Sequence, residues 1–190
     1  MKIITCLLLF ILLIICIESK VAIRTYVVVQ NGKANRNKLY GFTILDSKEE
    51  TALYRLKVSS RDIDTAILVD NPGKNIVANL EDAWKNRKAN VTFSIYDYKL
   101  NKWTDGSIQK KLRFLSTDYT VKYNDEQFIA KRKSLPKRIE VYHKNQNELL
   151  AEWRRRTKPL LSKRAKYDVK IYSNKVPDAI YFFLLLMMHQ

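Results

Sequence analysis

Cysteine is nearly absent from this chain. Its two cysteines, Cys6 and Cys16, both lie in an apolar N-terminal leader, so a mature domain lacks the thiol entirely. That excludes a disulfide framework, a thiolate zinc site and a cysteine nucleophile. Glycine is scarce, with 4 in 190 residues, and no glycine-rich phosphate loop appears. Histidine is limited to His143, beside a turn, and His189, next to the chain end. Neither has a cysteine or acidic cluster nearby in sequence, so no metal site and no cofactor are expected. No Ser-His-Asp spacing is present. The acidic pairs Glu49-Glu50, Glu81-Asp82 and Asp125-Glu126 fall at apparent turns and read as solvated charge. No catalytic residue is assigned, and the chain reads as a non-enzyme.

Acidic residues are also in deficit, 19 against 35 Lys and Arg, for a net charge of +16. Lys2 and Glu18 of the leader cancel, so the rest of the chain keeps the whole excess. Such an imbalance points to an anionic partner: membrane headgroups, sulfated glycans or nucleic acid.

The leader, residues 1–19, places Lys2 before an unbroken apolar run at 3–17, then Glu18 and Ser19. This is the layout of a secretory signal peptide cleaved near Ser19. The alternative is an uncleaved anchor formed by residues 3–17, favoured slightly by Lys20 and Arg24 on its far side. Asn90-Val91-Thr92 is a glycosylation sequon that fits a secretory route, with Asn90 the acceptor. The expected location is outside the cell or in the secretory lumen.

From residue 20 onward one domain is expected, built from short strands. Residues 21–30, 39–45, 52–58, 63–69, 74–78 and 91–98 are β-branched, aromatic or alternating. Asn31-Gly32, Asn71-Pro72-Gly73 and Asp105-Gly106 read as turns; in the second, Pro fixes φ and Gly73 takes a positive φ. Residues 80–88 read as a helical turn or irregular connection. Further strands are expected at 112–115, 119–123, 128–133, 139–143, 149–154 and 167–172. Leu149, Ala151 and Trp153 share one face, as do Tyr167, Val169 and Ile171.

The final stretch differs from everything before it. No charge occurs from Ala179 to Met188, so a helix over 178–190 is apolar all round and must be buried. Its ten apolar residues rise only about 15 Å, half a bilayer core. Asp178 is expected as its N-cap or first-turn acid. Many short strands and one helix without a polar face fit a closed barrel wrapped around that helix. The aromatic residues then read as core, not as a base-stacking surface.

The strand order resembles the tubby C-terminal-like superfamily. The resemblance is carried by D-N-P-G at 70–73, F-I-A-K-R-K at 128–133, I-E-V-Y at 139–142, E-L-L-A-E-W at 148–153, Y-D-V-K-I-Y at 167–172 and the apolar tail. It covers residues from about 26 to the end. The superfamily includes tubby domains, phospholipid scramblases and the LURP-one-related proteins. It implies an antiparallel barrel of about twelve strands threaded by a hydrophobic C-terminal helix. Tubby domains bind phosphoinositide headgroups through Lys and Arg, but no basic motif here aligns with theirs residue by residue. The palmitoylation and calcium-binding stretches of scramblases have no counterpart here. The leader is a further departure, since these families are mostly cytosolic or nuclear.

Between 131 and 170 stand 14 Lys and Arg against 4 acids, Glu140, Glu148, Glu152 and Asp168. The dense parts are K-R-K-S-L-P-K-R at 131–138 and W-R-R-R-T-K-P-L-L-S-K-R-A-K at 153–166. The first contributes Lys131, Arg132, Lys133, Lys137 and Arg138 as candidate anion-binding residues. The second contributes Arg154, Arg155, Arg156, Lys158, Lys163, Arg164 and Lys166. Arg forks suit phosphate and sulfate oxygens, and Lys adds point charge. The expected function is non-enzymatic binding of anionic lipid headgroups or membrane surfaces. The alternative is an extracellular interaction protein for sulfated glycans or a protein partner. Nucleic acid is a third, weaker reading.

Overall fold

Alternation of apolar and polar side chains makes each strand two-faced, and a ring of such strands buries one face of all of them. A computed structural model describes residues 20–31, 40–59, 65–81, 89–112, 117–133, 138–157 and 164–189. The chain runs through β1 (Arg24–Asn31), β2 (Tyr40–Leu45), β3 (Ala52–Ser59) and β4 (Thr65–Asp70). It continues through β5 (Ile76–Glu81), β6 (Asn90–Asp97), β7 (Lys102–Leu112) and β8 (Thr117–Tyr123). Then come β9 (Glu126–Lys133), β10 (Arg138–His143), β11 (Leu149–Arg155), β12 (Lys166–Ile171) and the helix α1 (Asp178–Met188). Each strand pairs antiparallel with the next, and β1 pairs with β12, which closes the twelve-stranded barrel. Closure leaves no strand edge unpaired among these twelve. Strands, closure and helix all lie within residues 24–188, so residues 20–190 contain every described element of the barrel.

The expected alternation holds in β6 and β12 but is broken at the start of β11. In β6, Val91, Phe93 and Ile95 are buried while Thr92 is exposed. In β12, Tyr167, Val169 and Ile171 are buried and Lys170 is exposed. In β11 a register shift between Val141 and Tyr142 of β10 leaves Leu150 as the extra residue. Leu150 joins Ala151 and Trp153 in the core, and Leu149 stays half-buried.

Three local readings are corrected. Asp105-Gly106 is not a turn: both residues lie inside β7, paired with Ser94 and Phe93. The glycine serves packing, because a Cβ there would sit 2.2 Å from the Phe93 ring. At 71–75 the positive φ belongs to Lys74, not Gly73. Gly73 is needed for room, since its Cβ would come within 2.7 Å of the Asp70 carboxylate. Residues 80 and 81 finish β5; the rest of that stretch, 82–88, lies outside the described residues. Outside them too are Gly32 and residues 113–115. The turn after β8 is a two-residue loop, with Asn124 and Asp125 both at positive φ, the geometry that matches strand twist.

α1 fills the barrel. All its residues from Ala179 to Met188 are buried. Phe182 meets the Tyr26 ring edge-on at 5.5 Å, and Phe183 lies 6.3 Å from Phe93. Pro177 is the N-cap, and Asp178 begins the first turn. The Asp178 carboxylate does not cap the helix. It accepts hydrogen bonds from Arg24 Nη2 (2.8 Å) and the Tyr26 hydroxyl (2.6 Å), tying the helix start to β1. A negative charge there also suits the helix dipole. The helix therefore enters at the barrel end that carries the 46–51, 71–75 and 144–148 turns. Its C-terminus reaches the opposite mouth, where the Tyr119 hydroxyl donates to the Met187 carbonyl. Among the described residues no helix is long and apolar enough to cross a membrane.

Candidate anion-binding site

The two dense basic stretches are the connections β9–β10 and β11–β12 with their flanking strand ends. Strands β9, β10, β11 and β12 are consecutive neighbours in the barrel. The last residues of β9 and β11 and the first of β10 and β12 therefore lie at the same mouth, the one that α1 reaches with its C-terminus.

Strand parity then sorts the cations. In β11, buried Trp153 faces inward, so Arg155 falls on the inward side, opposite buried Tyr167. Arg154 and Arg156 fall on the outward side, and Arg156 bonds Asp168 there at 2.8 Å from its Nε. In β9, Phe128 and Ala130 are buried, which puts Arg132 on the inward side opposite Ile139. Lys131 points outward, its Nζ 5.8 Å from the centre of the Tyr142 ring.

Several predicted cations already have partners. Arg138 pairs with Glu140 and, at 3.1 Å, with Glu152. Glu140 is buried and also accepts from the Tyr142 hydroxyl at 2.6 Å. The Tyr172 hydroxyl donates to Glu152 at 2.8 Å. Burial, and then the hydrogen bond to a carboxylate, push both tyrosines up to about 12. Arg156 joins Asp168 and Glu49, and Lys166 reaches Glu49 at 2.5 Å. Lys166 and Arg156 hold the Glu49 carboxyl below its ordinary value. These groups form ion-pair networks, and less of their charge is open to a ligand.

The remaining candidates divide as follows. Lys131, Arg132, Arg154 and Arg155 are exposed, and no carboxylate of the described residues pairs with them. Arg164 is exposed and has a partner elsewhere. Lys133 ends β9. Lys137, Lys158 and Lys163 lie outside the described residues, as does the leader. Asn90 is exposed at the start of β6.

Arg132, Arg138 and Arg155 line a cavity of about 140 Å³ in the mouth, together with Trp153, Tyr167 and His189. The Tyr167 hydroxyl and His189 Nδ1 share a hydrogen bond. Burial raises the Tyr167 hydroxyl above its ordinary value, while Arg155 and Arg132 act the other way. Sequence reasoning placed Trp153 only on a hairpin face and His189 only at the chain end. The parity of Arg155 with Trp153 was a readable signal; the arrival of His189 beside Tyr167 was not. Among the described residues no group of three or more His, Cys, Asp or Glu is arranged to hold a metal ion.

The profile of the LURP-one-related proteins matches residues 25–189, which is the barrel and its helix from β1 onward. The chain belongs to the LURP-one-related family. That places it in the tubby C-terminal-like superfamily, as the strand order suggested. No curated protein and no solved structure matches the chain. In this LURP-one-related barrel the basic mouth is built by the four strands from β9 to β12, within the matched span.

Proposed function

We propose that this LURP-one-related barrel is a non-enzymatic binding domain for anionic lipid headgroups, presented to membrane surfaces by its basic mouth. The supporting observation is that the mouth ends of β9 to β12 are neighbours, with Lys131, Arg132, Arg154 and Arg155 exposed and, among the described residues, without a carboxylate partner. Each Lys or Arg near an anionic surface contributes about 1 kcal/mol, so four together give an affinity that a neutral barrel lacks. The leader and the exposed Asn90 sequon support a secretory-pathway location, with anchoring by residues 3–17 as the alternative.

Flotation of residues 20–190 with liposomes tests this. Neutral, phosphatidylserine and phosphoinositide vesicles are matched for surface charge and compared at low and physiological salt. The expected outcome is preference for one anionic headgroup at equal charge, surviving physiological salt. Lys131→Gln with Arg154→Gln is expected to weaken vesicle binding by about 2 kcal/mol, roughly 30-fold. Binding that follows total charge alone and vanishes with salt sinks the lipid reading. It leaves the second reading, an extracellular binder of sulfated glycans, which the same exposed arginines also suit.

A further inference from the structure

The cavity at the helix C-terminus has a consistent chemistry. Its polar lining consists of Arg132, Arg138, Arg155, the Trp153 indole and the Tyr167–His189 pair. No Asp or Glu among the described residues lines it. Guanidinium groups donate and never accept, so a lining that holds three of them favours an acceptor-rich occupant. Leu185, Met188 and Ile139 supply the apolar part of the wall.

We propose that this cavity is a binding site for a phosphate monoester group. The inference rests on the reading of the basic mouth as an anion-binding face, and adds where the group sits and what form it takes. Size and charge decide the form. About 140 Å³ is far more than one water needs and well below the roughly 300–1,000 Å³ of a pocket for a drug-sized ligand. It suits one tetrahedral oxyanion, with the remainder of the ligand outside. The charge of Arg138 is answered by Glu140 and Glu152. Arg132 and Arg155 leave two full positive charges, against about half a negative charge from the helix C-terminus. The surplus matches a dianion. A monoester presents three terminal oxygens and leaves by one substituent, whereas a diester carries two substituents and one charge. The source can be a lipid headgroup or a soluble phosphate.

The test is titration of residues 20–190 with inorganic phosphate, glycerol 3-phosphate and sulfate, followed by calorimetry and tryptophan fluorescence. The second arm is flotation with phosphatidic acid vesicles against phosphatidylglycerol vesicles of equal surface charge. Saturable binding of phosphate and glycerol 3-phosphate is expected, on the order of 1 mM or tighter. Arg132→Gln with Arg155→Gln should weaken it at least about tenfold. The double variant changes only exposed side chains, and circular dichroism checks that its fold is kept. Trp103→Phe, at an exposed site on β7, and Lys57→Gln with Lys170→Gln on the outer face should leave soluble phosphate binding unchanged. Affinity should fall below about pH 6, where the monoester takes up a proton. Absence of saturable binding, or an equal loss in the outer-face variant, overturns the pocket. Vesicle binding without soluble monoester binding defeats the pocket and leaves the membrane reading standing. Soluble monoester binding without vesicle binding does the reverse, and preference for phosphatidic acid assigns the lipid source.

Discussion

At the residue scale, the cations most crowded in sequence have different employment in the fold. The run Arg154-Arg155-Arg156 looks uniform, yet Arg156 is committed to Asp168 and Glu49, and Arg155 lines the mouth. Arg138 matters most for stability, because it compensates Glu140, a carboxylate only 2% exposed. Removing one partner of a buried pair leaves an uncompensated charge, which costs about 3–5 kcal/mol when both are buried. Arg138 keeps 35% of its side-chain exposure and Glu140 retains other partners, the Tyr142 hydroxyl among them, so the loss is smaller. Arg138→Met is therefore expected to lower stability by about 1–2 kcal/mol. Adding Glu140→Gln should restore much of that. Urea unfolding of the two variants checks it; equal loss in both would mean the pair is not what holds this face.

At the scale of the element, α1 is the core of the barrel and not an appendage to it. Its side chains contact opposite walls, Tyr26 of β1 through Phe182 and Phe93 of β6 through Phe183. Phe183 has no exposed surface. Phe183→Ala leaves a cavity that a ring of hydrogen-bonded strands cannot collapse to fill, so a loss of about 3–5 kcal/mol is expected. Leu100→Ala, at a side chain 61% exposed in the turn after β6, should change stability by less than about 0.5 kcal/mol. Thermal and urea unfolding compare the two. Similar losses would show that the helix does not carry the core.

For the whole molecule, the distribution of tyrosines predicts alkaline instability. Burial raises Tyr119 to about 12, and burial with carboxylate hydrogen bonds does the same for Tyr142 and Tyr172. Tyr26 and Tyr181 are pushed higher still by burial. A raised folded value means the neutral hydroxyl is favoured in the native state. The corresponding stability is fully present below the ordinary value of 10.0 and is lost as pH rises from there through about 12. Lysine deprotonation in the same range lowers the net positive charge and opposes this, so the comparison is with Tyr142→Phe. That variant should show a shallower loss of urea midpoint between pH 10 and 12. An unchanged slope would mean that the Tyr142 hydroxyl is not held by Glu140.

Much of this architecture was legible in the sequence, and for a local reason. Side-chain alternation of period two is set residue by residue, so every strand but β7 could be read; in Lys102–Leu112 only Ile108 is buried, and the stretch showed a turn at Asp105-Gly106 instead. Ten uncharged residues at 179–188 have no polar face at any angle, so a buried helix followed from the pattern alone, and a barrel from the helix. Where a residue acts through a distant neighbour, local pattern was silent. Gly106 looked like a turn because the ring that needs its space belongs to Phe93, on another strand. Arg156 and Lys166 looked available because Glu49, which engages both, lies more than a hundred residues away. The mouth cavity needed the register of β9 to β12 to set Arg132, Trp153, Arg155 and Tyr167 on one wall, and needed α1 to be just long enough to deliver His189 to Tyr167. The sequence by itself determined which elements form and which faces they bury, because those depend on periodicity along the chain. Only the tertiary structure decided which charges meet, because ion pairing depends on distances that the chain's order does not encode.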